Sequence, residues 1–347
     1  MSKVKRKVKE VSGVVRAPRS ERLWDNLSGF WSVWLIHVGS DLGLFEALRR
    51  GSLTPAELAE RKGYEPVYVE VWCNAASSFG YLEGDTASGY RVTSGWGQLL
   101  EHYGDWASTY IRLSQRVYES LEAVFRGRAF PESVLSLRLA MTQGLRASYR
   151  SLWNDLAPKV PALAKRLQSG NRLIEYGCGF GLGLEMLRER CSGLELTGIE
   201  EDFDCAREAE RSTRALIIVG KSEDTTYRNR FDVALFHRSL TLCSEPFRAL
   251  DAAIKGLKSG GVLVVLSEGE IPESGQLEPR ARIRLCERMF FQMFLSEHAL
   301  RSITLDHLEG WAAKLPLELI YRDPSPRRGS PCLIWQKRNR NRVVSEA

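Results

Sequence analysis

The sequence has no long apolar segment and no pair of cysteines spaced to hold a metal. Nowhere in its 347 residues does an apolar run approach the roughly 18 to 20 residues that cross a bilayer. The basic first ten residues are not followed by the apolar stretch of a secretory signal. The seven cysteines are scattered and odd in number, without a C-x-x-C pair, which favours reduced thiols over disulfides or zinc. We therefore expect a cytoplasmic protein without a membrane span or a metal site.

The composition excludes a disordered or fibrous chain. Hydrophobic residues make up 44% of the sequence and charged residues 27%, which is ordinary for a globular protein. The length is more than one compact core usually needs and suits two domains.

The excess of positive charge is confined to the two ends of the chain. Residues 1–22 carry a net charge of +6 and residues 327–347 a net charge of +5, so the segment between them is acidic at −5. We interpret the ends as flexible, solubilising tails. Any nucleic-acid binding is expected to be weak and to come from these tails.

The first structured region has the order of elements found in a winged helix. Apolar residues at helical spacing predict a tryptophan-rich helix over 23–38, which suits a dimer face or a core face. A capping-box pattern, Thr54 to Glu57, opens a second helix, and a third is predicted over 66–79. Two short strands around a Gly/Asp turn follow in 81–93.

From residue 171 onward strands and helices alternate, which predicts a parallel sheet flanked by helices. The predicted strands are 172–176, 194–199, 216–219, 231–236 and 262–266, with helices at 182–190, 203–212 and 246–257. An amphipathic stretch, a helix capped by Thr304 and two final strands, 317–321 and 331–336, complete the chain.

The first strand of this region ends in an acid and a glycine-rich turn, E-Y-G-C-G-F-G, from Glu175 to Gly181. Glycines at alternate positions let the backbone bend sharply and approach a ligand closely. The dinucleotide pattern G-x-G-x-x-G fails because position 182 is leucine, and the Gly-Lys-Ser/Thr of a phosphate loop is missing. The next strand ends at Glu200, whose carboxylate can accept hydrogen bonds from both hydroxyls of a ribose.

These features resemble the class I S-adenosylmethionine-dependent methyltransferases. The resemblance extends in register through an adenine loop at 219–224, a fourth strand at 231–236 and an L-K-S-G-G turn at 257–261, and it covers residues 171–340. It implies an α/β fold with a Rossmann-like, mostly parallel sheet whose last strand is antiparallel, and S-adenosylmethionine as the cofactor. The residues that it assigns to the cofactor are Glu175, Gly177, Cys178, Gly179, Gly181, Glu200, Lys221, Ser222, Phe236 and His237.

The N-terminal half resembles the domain that precedes the catalytic domain in many small-molecule O-methyltransferases. The similar segments are 41–45, 53–60 and the winged hairpin. In that group the domain usually dimerises the protein and covers the substrate, so the resemblance implies a homodimer. The expected divisions are a basic tail (1–22), a winged-helix α+β domain (23–105), a helical connector (106–168), a catalytic domain (169–338) and a basic tail (339–347).

Two positions depart from the family pattern. Lys221 stands where the adenine loop commonly has an aspartate, although backbone contacts near Ser222 can still hold the base. Thr241 and Leu242 stand where many O-methyltransferases have a catalytic His–Asp pair. The remaining candidates for acid/base work are His237, after the fourth strand, and Glu268 with Glu270, after the fifth; each of them also suits a purely structural or solvated role.

The amphipathic stretch 280–294 is the candidate substrate cover, with Arg284, Arg288, Met289 and Met293 as its named members. Its methionines and aromatic residues suit an apolar or planar acceptor, and its arginines suit a carboxylate. A helix that packs on its own core is the alternative.

We expect methyl transfer to a small molecule, with the oxygen, carbon or nitrogen acceptor left open. The alternatives are a methyltransferase fold without activity that serves as a scaffold, a transcriptional regulator, and an enzyme that acts on protein or RNA. DNA recognition is disfavoured because the helix over 66–79 contains no Lys or Arg and residues 23–100 have a net charge of −4.

Overall fold

The computed structural model describes residues 19–118, 121–128, 134–267, 283, 285–286, 303–324 and 331–338. The chain divides into two compact units, residues 1–107 and 108–347. This division groups residues 108–168, for which the sequence predicts a connector, with the second unit.

The first unit consists of helices and one hairpin. Its elements are α1 (Arg19–Asp41), α2 (Leu44–Arg49), α3 (Pro55–Lys62), α4 (Pro66–Ser78), β1 (Leu82–Asp85) and β2 (Gly89–Val92). The predicted capping box of α3 is present, since Thr54 Oγ1 accepts the N–H of Glu57 while the Glu57 carboxylate accepts the N–H of Thr54. The two strands are antiparallel, with Leu82 opposite Val92.

Helix α1 begins four residues inside the segment that we expected to be a flexible tail. Its first turn contains Glu21, and a carboxylate near a helix N-terminus is favourable because of the helix dipole. The buried core of this unit forms around Leu44, Leu58, Trp72 and Cys73.

A series of helices connects the hairpin to the sheet. They are α5 (Trp96–Tyr118), α6 (Leu121–Phe125), α7 (Val134–Gly144), α8 (Arg146–Arg150), a π-helical segment (Ser151–Leu156), a 3-10 turn (Ala157–Lys159) and α9 (Pro161–Ala164).

The second unit is built on a seven-stranded sheet in the order β5-β4-β3-β6-β7-β9-β8. The strands are β3 (Arg172–Tyr176), β4 (Glu195–Glu200), β5 (Leu216–Val219), β6 (Phe231–His237), β7 (Leu257–Leu266), β8 (Leu317–Asp323) and β9 (Cys332–Lys337). The helices are α10 (Leu182–Arg190), α11 (Phe203–Thr213), α12 (Pro246–Gly256) and α13 (Leu305–Ala312). Five strands are parallel and β9 is antiparallel to both of its neighbours, which confirms the predicted sheet.

The central strands are buried on both faces. Leu173, Val233 and Val264 point into one core, and their neighbours Ile174 and Ala234 point into the other. Strand β7 begins at Leu257, five residues earlier than predicted, because the Gly-Gly pair that reads as a turn is a local irregularity beside Phe231 rather than the start of the strand.

The order of the strands reverses between β3 and β6. Strand β3 leads through α10 to β4 on one side, whereas β6 continues to β7 on the other. Ligands bind at such a switch point, outside the carboxyl ends of the strands. The glycine loop after β3 and His237 at the end of β6 both lie there.

Candidate active site

The glycines of the loop after β3 adopt left-handed backbone conformations. Gly177 has φ 68° and Gly181 has φ 77°. A Cβ at position 177 would lie 2.6 Å from the Cβ of Ser239, and one at 181 would lie 2.5 Å from the Cγ2 of Thr213. Both positions therefore require glycine, for the backbone conformation and for the close packing of the loop.

Gly179 differs from the other two because the space beside it is open. Its φ is 55°, and a Cβ there would meet no atom closer than Thr142 Oγ1, at 3.9 Å. The middle of the loop therefore leaves room for a ligand between β3 and helix α7.

Glu200 lies at the end of β4, and its carboxylate binds the backbone of the glycine loop. Its Oε2 accepts the N–H of Gly179 at 2.8 Å, and its Oε1 accepts the N–H of Asp202 at 3.0 Å. Burial raises the pKa of Glu200, while the two backbone donors and the Arg138 guanidinium favour the charged form. Each oxygen retains an unused lone pair, so the carboxylate can still accept hydroxyl donors.

Helix α7 supplies a guanidinium to the same end of the site. Arg138 Nη1 donates to Asp202 Oδ2 at 2.6 Å, and Asp202 Oδ1 caps α11 by accepting the N–H of Cys205. Hydrogen bonds from the backbone and the charge of Arg138 lower the pKa of Asp202, although burial opposes them.

Glu175 is completely buried at the end of β3. Its Oε1 accepts a hydrogen bond of 2.5 Å from the hydroxyl of Tyr149, and its Oε2 has no partner. Burial raises the pKa of Glu175 to about 8, and the Glu200 carboxylate adds to this effect, while the Tyr149 hydroxyl opposes it. A buried oxygen without a partner is costly, so it points to a donor that a ligand would provide.

His237 is buried at the carboxyl end of β6. Its Nε2 lies 3.0 Å from the hydroxyl of Ser148, its Nδ1 has no partner, and its ring stacks on that of Tyr149 with centroids 3.7 Å apart. Burial and, secondarily, the positive charge of Arg238 lower the pKa of His237 to about 3. The imidazole is therefore neutral at physiological pH.

The predicted adenine loop follows β5. The N–H of Gly220 donates to the backbone carbonyl of Glu200 at 2.9 Å, which ties the loop to the end of β4. Lys221 is exposed and lies 3.6 Å from Glu201, whereas Ser222 is buried in a short 3-10 turn.

Two predicted cofactor residues are parts of the core. Phe236 is fully buried and stacks on Tyr176, with ring centroids 4.8 Å apart, so its side chain packs in the sheet core. Cys178 is also buried, and burial together with the Glu175 and Glu200 carboxylates raises the pKa of its thiol. Cys178 therefore fills space between the glycines as an uncharged thiol.

Thr241, at the position of the missing histidine, lies in a 3-10 turn (Leu240–Leu242). It is buried, and its hydroxyl has no hydrogen-bond partner, while the neighbouring Leu242 is half exposed. Glu268, Glu270, Arg284, Arg288, Met289 and Met293 lie outside the described residues, so their roles as candidate base and substrate cover stay predictions.

The described part of the chain shows no group of three or more His, Cys, Asp or Glu side chains that could hold a metal ion. A helix long and apolar enough to cross a membrane is likewise not found within these described ranges.

Helices α7 and α8 contribute side chains to the site that the sequence patterns did not predict. Arg138, Thr142, Ser148 and Tyr149 all come from the predicted connector, and they border the glycine loop, Glu175 and His237. No local signal marks Ser148 and Tyr149, because a serine and a tyrosine in a short helix with an arginine at each end are ordinary by themselves.

The sheet order and the loop geometry are those of a class I methyltransferase. A family profile described as a methyltransferase domain matches residues 174–265, which span β3 to β7 and include Glu175, Glu200 and His237. The second unit thus contains a methyltransferase domain, as the sequence predicts.

Solved structures extend the similarity of fold to more than nine tenths of the chain. The pyocyanin biosynthetic protein PhzM is 15% identical, with a TM-score of 0.61, over 92% of this chain and 98% of its own. Human N-acetylserotonin methyltransferase, solved in complex with S-adenosylmethionine, is 15% identical, with a TM-score of 0.58, over 94% and 99%. The mitomycin 7-O-methyltransferase MmcR is 19% identical, with a TM-score of 0.54, over 92% and 97%. No curated protein matches the chain.

Proposed function

We propose that the protein transfers a methyl group from S-adenosylmethionine to a small-molecule acceptor. The observation that carries this proposal is the completely buried carboxylate of Glu175 and the partly buried carboxylate of Glu200, which lie on either side of a glycine loop with left-handed backbone in a methyltransferase domain. One carboxylate has a partnerless oxygen, and the other has spare lone pairs.

The residues present fit this cofactor at three points. The spare lone pairs of Glu200 suit the two ribose hydroxyls, and the open space at Gly179 accommodates the backbone approach of the ligand. The partnerless Oε2 of Glu175 suits the charged amino group of the methionine portion. Lys221 and Ser222 border the adenine in this arrangement.

The cofactor supplies a methyl group that is already activated by a sulfonium. The protein then contributes alignment of the acceptor and exclusion of water, which together can lower a barrier by about 7 to 11 kcal/mol. Removal of a proton from a hydroxyl acceptor would contribute a further factor of about 10² to 10⁴.

We propose His237 as a hydrogen-bonding group in the site rather than as a base that retains a proton. A group whose pKa is near 3 holds a proton poorly at neutral pH. The acceptor atom stays open among oxygen, carbon and nitrogen, and an activated carbon or a neutral amine depends least on a base.

We further propose that the first unit is a winged-helix domain that dimerises the protein in the cytoplasm. Helix α1 exposes a row of apolar side chains at helical spacing: Leu23, Trp24, Leu27, Phe30, Trp31 and Trp34. An apolar row of this size supports contact with a second copy of the chain. All seven cysteines are free thiols, which supports a reducing compartment.

A cofactor-binding scaffold or regulator without activity is the second candidate. Thr241 and Leu242 in place of the His–Asp pair favour it. A role in reading DNA is disfavoured because α4 exposes Val67, Tyr68 and Val71 and carries no basic residue.

The deciding experiment is isothermal titration of the purified protein with S-adenosylmethionine and S-adenosylhomocysteine. Micromolar binding of both is expected and would justify a screen of phenolic and quinone-like acceptors with a labelled methyl group. Absence of binding would overturn the proposal, and binding without transfer to any acceptor would favour the second candidate.

A further inference from the structure

Tyr149 lies between Glu175 and His237, two buried residues of the candidate site that each have a polar atom without a partner. Its hydroxyl donates to Glu175 Oε1, and one face of its ring covers the imidazole of His237. The first turn of α10 packs against it, because a Cβ at Gly183 would overlap the Tyr149 ring and would lie 2.8 Å from Glu175 Oε2. Helix α8 thus reaches the end of β3 through one side chain.

We propose that Tyr149 is a positioning residue for Glu175, holding its carboxylate so that Oε2 accepts the charged amino group of the cofactor. This inference rests on the proposed function and adds the residue that prepares the amino-group site. It further implies that Glu175 gives up a proton to the solvent when the amino group binds.

The hydroxyl of Tyr149 supplies a hydrogen bond that the Glu175 carboxylate does not receive from any other described residue. Glu175 is completely buried, and Tyr149 is its one hydrogen-bond donor among the described residues. Without this donor both oxygens would be buried and unpartnered, which favours the protonated acid and leaves no hydrogen bond to hold the orientation of the carboxyl group. Tyr149 therefore fixes the orientation of Glu175 and helps it to ionise.

Burial is the main reason why Glu175 holds a proton, and the charges around it add to this effect. Glu200 on β4 repels a second negative charge, and Cys178 in the glycine loop stays an uncharged thiol beside it. His237 on β6, which lies behind Tyr149, is also neutral. No fixed positive charge is described in contact with the carboxylate, so Glu175 holds a proton at neutral pH until a cation arrives.

The experiment compares two ligands that differ in the amino-acid portion. S-Adenosylhomocysteine carries the amino group, whereas 5′-methylthioadenosine has the same adenosine portion without it. Affinities are measured by isothermal titration from pH 5.5 to 7.0, below the pKa of about 8 of an α-amino group. Buffers with different ionisation enthalpies report the protons that are released.

The wild-type protein should bind S-adenosylhomocysteine more tightly as the pH rises, by up to about tenfold per unit for one released proton. The affinity for 5′-methylthioadenosine should change much less. Glu175→Gln removes the titrating group and should abolish the difference between the two pH profiles.

Tyr149→Phe keeps the ring but removes the hydroxyl. This substitution should lower the affinity for S-adenosylhomocysteine by about tenfold at pH 7 and shift the pH dependence of that affinity to higher pH. It should leave the affinity for 5′-methylthioadenosine unchanged. Tyr227→Phe is the matched control, because Tyr227 packs on Phe231 at the opposite end of β6, and it should behave as the wild type. Thermal unfolding of each variant monitors the fold.

The outcomes separate the two proposals. Failure of the wild type to bind either ligand overturns the proposed function and this inference with it. Binding of both ligands with parallel pH profiles, or an equal loss of both in Tyr149→Phe, overturns this inference alone. If Tyr149→Phe does not fold, the comparison of Glu175→Gln with the wild type still decides whether Glu175 receives the amino group.

Discussion

The rings of Tyr149 and His237 lie nearly parallel, with their centroids 3.7 Å apart and their planes 16° apart. The Tyr149 ring comes from α8 and the His237 ring from the end of β6. The contact therefore packs α8 against the carboxyl end of the sheet, at the switch point. It also removes the imidazole from water, and burial is the main reason why His237 is neutral.

We predict that His237 destabilises the protein in acid. Its pKa is lowered from the usual 6.5 to about 3, so the unfolded chain binds the proton more readily than the folded one. The free energy of unfolding of the wild type should fall relative to that of His237→Gln as the pH decreases from 6 to 4. The expected change is about 1.4 kcal/mol per pH unit. Urea unfolding of both proteins across this range measures it, and parallel stability curves would contradict the neutral, buried imidazole.

We predict that replacing the glycines of the loop by alanine has unequal effects on stability. Gly177→Ala should destabilise the protein by about 2 to 5 kcal/mol, since it combines a left-handed backbone with a Cβ placed 2.6 Å from Ser239. Gly179→Ala meets no neighbour, so it should cost only about 1 to 2 kcal/mol in stability while it weakens cofactor binding.

Gly220→Ala is the matched control for the stability of these variants only, because no atom lies within 4 Å of the added Cβ and its backbone is not left-handed, although it belongs to the predicted adenine loop. Urea unfolding gives the stabilities, and titration with S-adenosylhomocysteine gives the affinities. Equal stabilities of Gly177→Ala and Gly220→Ala would disprove the packing argument.

We predict that Glu200→Ala weakens the binding of S-adenosylmethionine by roughly 1 to 3 kcal/mol, which is the range for loss of hydrogen bonds to a charged group. The effect should combine the loss of ribose contacts with release of the Gly179 N–H from its acceptor. Glu195→Ala, at the exposed start of the same strand, should leave the affinity unchanged. Isothermal titration makes the comparison, and an unaltered affinity in Glu200→Ala would refute the ribose assignment.

The parts of the site that are formed by local sequence patterns could be predicted, whereas the parts formed by contacts between distant residues could not. The strand 172–176 and the turn after it are local patterns, so the glycine spacing and the acids at 175 and 200 identified the sheet edge. The contacts of Tyr149 with Glu175 and of Ser148 with His237 join residues 26 and 89 positions apart. No local pattern encodes such pairs, and a tyrosine or a serine in a short helix is ordinary by itself.

We predict that Trp31→Glu converts a dimer into a monomer. Trp31 is 58% exposed and Trp24 is 70% exposed, and both lie in the apolar row of α1. A carboxylate in the centre of a buried apolar contact would be desolvated without a partner, which costs several kcal/mol and therefore opposes association. Light scattering coupled to size-exclusion chromatography should give twice the monomer mass for the wild type and the monomer mass for the variant.

Leu319→Glu is the control for this experiment. Leu319 is also a half-exposed apolar residue, but it lies on strand β8 of the second unit, so its substitution should leave the dimer intact. Because Trp31 is exposed in the single chain, its replacement should leave the thermal stability of the monomer nearly unchanged. A wild-type protein that is monomeric at all concentrations, or a Trp31→Glu variant that remains dimeric, would show that α1 is not the dimer face.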